Sequence, residues 1–401
     1  MKKIRNKLLL AMLVVTVLPL LLVGGYSLYS TMNSLRQNNI LALENKVSLI
    51  SERVSNFLEN ISSDLFYLRD SSAVNLYLSS LAGDTDSSQL LLENLIHNLQ
   101  VFSDKRKIYS QIRFIDTKGM ERVRVNYDGR RTHVTAKNEL QNKKGRYYFD
   151  DTIQLKKGEL MISPLDLNRE KGEIEIPIHP TIRYATPVFN EKDELQGIIV
   201  LNVLAKNFLN IISKESTPEE TLVFIDNEGY YYYHPDKNKL WGSKRDRNTG
   251  SNLFTDKPSI DKNIFQIKQI EHFDIKTVNY FETGNDIAAY KPVLVNNKQH
   301  HLGTIIDFVP KNIVFKPVSL FIWIFIGIAL FALLIAFLLG IILSSSISRP
   351  LETLKEEVER LAKGDMGSTI HVKSNDEVGD LSHAVEKLRR SMQILMRRAR
   401  R

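Results

Sequence analysis

Hydrophobic and polar positions follow distinct rhythms along this chain. Residues 8–35 and 317–348 contain no charged side chain, and 8–25 and 321–343 are almost wholly apolar. A helix of about 20 apolar residues crosses a bilayer, so transmembrane helices are expected at 8–30 and 317–345. The first has a basic start at Lys2, Lys3, Arg5 and Lys7, as a secretory signal also has. Its apolar run is long and no small-x-small cleavage site follows, so it reads as an uncleaved anchor.

Leu43, Val47, Ile50, Val54, Phe57, Ile61, Leu65 and Leu68 then recur at spacings of three and four. This is one apolar stripe over about seven helical turns. Such a helix can continue the first span outward, packing partly on its own domain and partly on a second copy. A second helix is expected over 88–102. The period then changes to two, predicting strands at 111–116, 120–127, 160–163, 182–189 and 196–204. Asp116-Thr-Lys-Gly119 and Asn190-Glu-Lys-Asp-Glu194 read as hairpin turns. After a helix at 206–213 the plan restarts with a strand at 221–226, the turn Asn227-Glu-Gly229 and a strand at 230–234. A hairpin of 288–295 and 302–309 around Asn296-Asn297 closes it. The expected fold class is α+β: two tandem PAS-like antiparallel-sheet lobes, at about 100–205 and 218–310, on a long N-terminal helix.

Charge sets the orientation. The chain has 54 basic and 46 acidic residues, a net charge of +8. The surplus lies in residues 1–7 and 346–401, whereas the middle is nearly balanced. The positive-inside rule places residues 31–316 outside and both termini in the cytoplasm. The basic balance is then topology rather than a nucleic-acid footprint, since no basic patch with interleaved aromatics occurs in the middle.

There is no cysteine, which excludes a disulfide framework, a Cys-ligated metal and a thiol nucleophile. No phosphate loop, Gly-x-Ser-x-Gly or His-Glu-x-x-His motif occurs, so no catalysis, cofactor or metal is expected. His300-His301 reads as an exposed pair beside a turn. Asp166-x-Asn168-x-Glu170 opens like a calcium loop, but Gly172 comes one place late and the closing Glu is misplaced.

A long helix followed by two such lobes between two spans resembles the double Cache (dCache) sensor domain of bacterial receptors. Val223-Phe-Ile-Asp-Asn-Glu-Gly-Tyr230 and His234-Pro-Asp236 resemble the start of its membrane-proximal lobe. Ile162-Ser-Pro-Leu-Asp-Leu-Asn168, Ile174-Glu-Ile-Pro177 and Arg183-Tyr-Ala-Thr-Pro-Val188 resemble the membrane-distal lobe of sensor domains found on histidine kinases. The resemblance implies a small-molecule ligand in the distal lobe. Arg146-Tyr-Tyr148-Phe149 is similar to the Arg-x-Trp-Tyr element with which amino-acid-sensing relatives hold a carboxylate. Tyr148 replaces the Trp and Phe149 the Tyr, and Leu165 stands where a later tyrosine is expected. The candidate ligand-binding residues are Arg146, Tyr148, Ser163, Asp166, Asn168 and Arg183, with Asp166 and Arg183 a possible structural pair. Asp226 and Asp307 are minor candidates for a second site.

After the second span, Arg349-Pro350 is expected to end the membrane segment. Leu351, Leu354, Val358 and Leu361 follow at heptad spacing, then the break Lys363-Gly-Asp-Met-Gly367 and a short extended piece, Ile370-His-Val372. Asp376-Glu377-Val378-Gly379 leads into Leu381, Val385, Leu388, Met392 and Leu395. Two heptad helices of one chain need those of another to bury their seams as a four-helix bundle. This resembles a HAMP linker domain over 346–401, with Pro350, Leu354, Leu361, Glu377, Gly379, Val385 and Leu388 as expected signal-relay positions. The resemblance implies a homodimeric receptor of the bacterial inner membrane. Ligand closure of the distal lobe would shift the second span and repack a bistable HAMP bundle. A separate cytoplasmic partner or a missing output domain would read the result. The alternatives are a fragment of a longer histidine kinase or chemoreceptor, and a membrane-tethered binding or scaffold protein that passes no signal.

Overall fold

The computed structural model describes residues 2–81, 85–170, 172–265, 278–297, 299–365, 367–370 and 376–399. Residues Gln37–Val314 form one compact unit, and Met1–Arg36 with Phe315–Arg401 form a second. Each is described separately.

The chain opens with the helix α1 (Lys2–Arg69), then α2 (Ser72–Ser80) and α3 (Thr85–Arg106). The first lobe contains β1 (Tyr109–Asp116), β2 (Glu121–Tyr127), β3 (Thr132–Val134), α4 (Tyr147–Thr152), β4 (Met161–Ile162), β5 (Asp166–Leu167), β6 (Arg169–Glu170), β7 (Glu173–Ile174), β8 (Pro180–Phe189) and β9 (Leu195–Leu204). The connecting helix α5 (Lys206–Lys214) leads to the second lobe: β10 (Thr221–Ile225), β11 (Tyr231–Tyr233), α6 (Leu253–Asp256), β12 (Asn279–Glu282), β13 (Asp286–Val295), β14 (His300–Pro310) and α7 (Lys311–Val314). Two helices follow, α8 (Lys316–Ala362) and α9 (Glu377–Ala399). The protein is therefore mixed α+β.

The first sheet has the order β3-β2-β1-β9-β8-β4, with β5 also on β8, and the second the order β11-β10-β14-β13-β12. All these pairings are antiparallel. The apolar stripe of α1 supplies the core along both sheets: Val47, Ile50, Val54, Ile61, Leu65 and Leu68 are fully buried. The Ser51 hydroxyl reaches the Pro292 carbonyl on β13 at 2.7 Å, and Glu59 takes the Asn297 amide at 2.8 Å. The first sheet's apolar face, with Tyr109, Phe114 and Tyr184, is buried, and Tyr77 of α2 meets Phe114 edge-on.

Both lobes begin with the same turn chemistry. Asp116 accepts the Lys118 and Met120 amides at 2.9 Å each, and Asp226 accepts those of Glu228 and Tyr230 at 2.9 and 2.8 Å. The fourth residue of each turn is a glycine with positive φ, 86° at Gly119 and 88° at Gly229. No side chain fits that conformation cheaply, so the repeated Asp-x-x-Gly is a hairpin device. Asp226 is thereby consumed by its turn rather than free for a second site.

Several expectations are corrected. The helix expected over 88–102 extends over Thr85–Arg106, and α2 is an added helix, capped by Ser71, whose hydroxyl accepts from the Val74 amide. His300 and His301 are half-buried residues of β14, and burial pushes His301 down to about 4. As the heptad spacing after Pro350 implies, α8 continues through Pro350 to Ala362 and stops at the expected break beginning at Lys363. A proline interior to a helix removes one backbone bond without necessarily breaking it.

In the other unit, two helical segments are long and apolar enough to cross a membrane, one in α1 and one in α8. They pack through small residues. A Cβ at Gly24 would lie 2.1 Å from Phe325 Cζ, and one at Gly340 would lie 2.7 Å from Leu9 Cδ2.

Candidate ligand-binding site

The first sheet's second face is polar, and the register explains why. Asn126 of β2 lies opposite Gln111 of β1, Gln111 opposite Asn202 of β9, and Asn202 opposite Arg183 of β8. Directly paired residues share a face, so four strands contribute one transverse polar row. Arg113, two residues along β1, stands on the same face, opposite Arg124. Arg113 and Arg183 are almost fully buried. Buried cations require partners, and both have them.

The Arg183 guanidinium donates to Asp166 Oδ1 at 2.8 Å and to Asn168 Oδ1 at 2.9 Å. Burial alone would lower its pKa; the charge of Asp166 outweighs this and raises it. The Arg183 amide donates to Ser163 Oγ at 2.8 Å, and the Ser163 hydroxyl donates to the Pro164 carbonyl at 2.8 Å. Arg113 donates to the Tyr148 hydroxyl at 2.9 Å and to Asn202 Oδ1 at 2.6 Å. Both guanidiniums lie over the Tyr148 ring, 5.1 and 5.8 Å from its centroid. Glu121 sits beside Arg113 and Lys143 at 3.6 and 3.7 Å. Burial lowers the Lys143 pKa despite this carboxylate.

A cavity of about 1300 Å³ opens in front of this face. Its walls include Gln111, Arg124, Asn126 and Asn168 of the first lobe and Tyr232, Trp241 and Arg247 of the second. It therefore belongs to both lobes. Ligand sites combine such aromatic surface with a few fixed polar groups.

The structure thus brings Tyr148, Ser163, Asp166, Asn168 and Arg183 together, with Asn168 on the cavity wall and the others behind it. Arg146 takes no part. It is exposed and serves as the N-cap of α4, its amide bonded to the Lys143 carbonyl at 3.0 Å. Its backbone is extended, with φ −87° and ψ 129°, so it stands just outside the helix that turns Tyr148 and Phe149 inward. Tyr148 points inward but spends its hydroxyl on Arg113. The calcium-like Asp166 and Asn168 hold a guanidinium instead of an ion. Among the described residues no group of His, Asp and Glu is placed to hold a metal. Sequence reasoning missed Gln111, Arg113, Glu121 and Asn202. The available signal was a polar residue recurring at one parity inside otherwise apolar strands.

Asp307, the other minor candidate, lies on β14 between Leu222 of β10 and Ala289 of β13. It is wholly buried, and Lys46 of α1 bridges it at 2.8 Å and also pairs with Glu220. It is a helix-to-sheet contact.

Of the relay positions, Leu354 and Leu361 are buried together with Ile370, and Val385 packs against them. Asp376 caps α9 by accepting the Val378 and Gly379 amides at 3.0 and 3.3 Å. Glu386 accepts the Ile370 amide at 3.0 Å and pairs with Arg389 and Arg390; these hydrogen bonds hold its carboxyl far below the ordinary range. Glu377 is exposed and Gly379 buried. Leu381, Leu388, Met392 and Leu395 leave an exposed apolar face on α9. His371 and Val372, in the expected extended piece, lie outside the described residues.

Comparison with known proteins agrees with this architecture. Residues 342–393 match the HAMP domain. The fold resembles the extracellular domain assigned to histidine kinase vpHK1S-Z8, with TM-score 0.56, 21% identity, and coverage of 72% of this chain and 96% of that one. It also resembles a domain of a sensory box/GGDEF family protein from Vibrio parahaemolyticus, with TM-score 0.54, 22% identity, and coverage of 68% and 96%. No curated protein matches the chain. Residues 47–295, more than half of the chain, match the model of the bacterial histidine kinase sensor domain, and the chain belongs to that family.

Proposed function

We propose that the protein is a transmembrane receptor rather than an enzyme: its outer unit binds a small molecule in the two-lobe cavity, and its HAMP domain passes the consequence to a cytoplasmic signalling partner or output domain. The observation that carries this reading is the buried polar row, which reaches the cavity wall at Gln111 and Asn126. Placing Arg113 and Arg183 inside a sheet has a large desolvation cost, and a lobe needing only stability would fill that face with apolar side chains. The balance of charge on the cavity wall favours an anion: Arg124, Lys206, Lys237 and Arg247 outnumber Asp128, Glu139 and Glu175. Residues 31–316 lie outside the bacterial inner membrane and both termini in the cytoplasm, as the basic ends require. The apolar face of α9 supports a homodimer, because a second copy is what buries a HAMP seam.

The test is a thermal-shift screen of residues 37–314, a compact unit with its own core, against organic acids, amino acids, amines and nucleobases. A ligand that binds the folded state raises the melting temperature by mass action. The expected hit is an anion whose shift is lost in Arg124→Ala. A hit that persists in that variant places the site elsewhere. A negative screen across all four classes turns the reading toward a protein partner or a tethered scaffold.

A further inference from the structure

We propose that Asp246 is the latch that holds the first lobe's binding-face residues in register with the second lobe, so that a change at one is felt at the other. β5 is the element it grips. Asp166 and Asn168 both direct their side-chain oxygens to Arg183. The residue between them, Leu167, donates its amide to Asp246 Oδ1 at 2.8 Å. The other oxygen, Oδ2, takes the Ser243 hydroxyl at 2.6 Å. Alongside, Arg169 Nη2 reaches the Arg245 carbonyl at 2.9 Å. One short segment is therefore held by a buried arginine of its own lobe and by a carboxylate of the next.

The physical argument rests on size and burial. β5 pairs with β8 through only two residues, Asp166 with Thr181 and Leu167 with Pro180. So short a strand is weakly held by its ladder and depends on side-chain contacts. Asp246 is buried, and a buried carboxylate without donors is costly. The Leu167 amide is one of its donors, so separating the lobes would expose that cost. Burial raises its pKa, against the opposing effect of the Ser243 and Leu167 hydrogen bonds. On its own side the latch is well anchored. Trp241 donates its amide to the Tyr231 carbonyl of β11 at 3.0 Å, Asn248 to Ser243 at 2.9 Å, and Gly250 to Gly242 at 2.9 Å. β11 pairs with β10, β10 with β14, and β14 leads along the chain into α7 and α8. Coupling requires an element with two arrangements that both sites bias; β5, bonded or released, is that element.

The proposal rests on the receptor reading only for its purpose, and its test contains no ligand. A failed ligand screen leaves it standing, and its own failure leaves the screen unaffected. Hydrogen exchange is measured on the full chain in lipid nanodiscs, following peptides over 164–170 and 241–250. Asp246→Ala is expected to speed exchange in both segments about tenfold or more, while Asp246→Asn, which keeps an acceptor for the Leu167 amide, stays within about threefold of the parent. Asn168→Ala, which acts only in the first lobe, is expected to speed exchange at 241–250 in the parent and to add nothing in Asp246→Ala. A purely local structural role for Asp246 would give independent, multiplicative effects. Should Asp246→Ala fail to fold, Ser243→Ala removes one support of the carboxylate and must still raise exchange at 164–170. An unchanged 164–170 segment in both Asp246→Ala and Ser243→Ala, or an unchanged 241–250 segment in Asn168→Ala, overturns the proposal.

Discussion

Replacing Asp307 by asparagine should remove a specific part of the outer unit's pH dependence. Asp307 lies between β14 and α1, wholly buried, with Lys46 at 2.8 Å. Burial pushes its carboxyl up from 3.8 to about 6, and Lys46 offsets this only in part. A shift of roughly two units corresponds to about 3 kcal/mol between the protonated and ionised folded forms. Because the folded pKa is the higher one, the native state binds the extra proton between about pH 4 and pH 6. The stabilising contribution is therefore complete below the unfolded value and is lost as pH rises through the folded one. Lys46 keeps Glu220 as a partner in the variant. The assay is urea unfolding of residues 37–314 at intervals from pH 4 to pH 8, followed by the fluorescence of Trp241, the one tryptophan in that segment. The stability of the parent minus that of Asp307→Asn should fall by about 2.5 kcal/mol between pH 4 and pH 8, the rest of the change lying below pH 4. Asp226, which burial also raises to about 6, is present in both proteins and cancels. Parallel pH profiles for the two proteins would refute the reasoning.

Three further outcomes are expected. Leu58→Ala or Ile61→Ala, both fully buried on α1, should cost about 2–5 kcal/mol in urea unfolding at pH 7, the range for emptied core sites. Arg183→Ala leaves Asp166 and Asn168 facing an empty space and should cost about 3–5 kcal/mol, as breaking a buried ion pair does; a loss below about 1 kcal/mol would show that water replaces the guanidinium there. Leu388→Asp places a charge on the exposed apolar face of α9, so the unfolding of residues 37–314 should be unchanged. Disulfide cross-linking between copies carrying Leu354→Cys should drop sharply in that variant, and undiminished cross-linking would remove Leu388 from the seam.

Much of the architecture was legible because its signals are local. The spacing of Leu43 through Leu68 defines α1, and period-two runs define the long strands. Asp-x-x-Gly marks both lobe-opening turns because an Asp side chain accepts the backbone amides that follow it and glycine takes the positive φ without steric cost. What escaped was short or non-local. α2 has nine residues and β5 to β7 two each, too few for a period to emerge.

The binding face shows the same division. By itself, the sequence determined the two apolar spans, the α1 stripe, the two antiparallel lobes and the heptads of the HAMP segment, since each depends on residues within a few turns or strands of one another. It also placed Ser163, Asp166, Asn168 and Arg183 among the candidates. Only the tertiary structure decided that Gln111, Asn126, Asn202 and Arg183 form one row, because a one-residue slip in any pairing would turn those side chains to the opposite face. It likewise decided that Arg146 stays in solvent while Arg113 is enclosed, and that Asp246, some 80 positions from Leu167 in the chain, closes on its amide. Register and lobe contact are set by how the apolar faces pack against α1 and each other, and no short stretch of sequence contains that information.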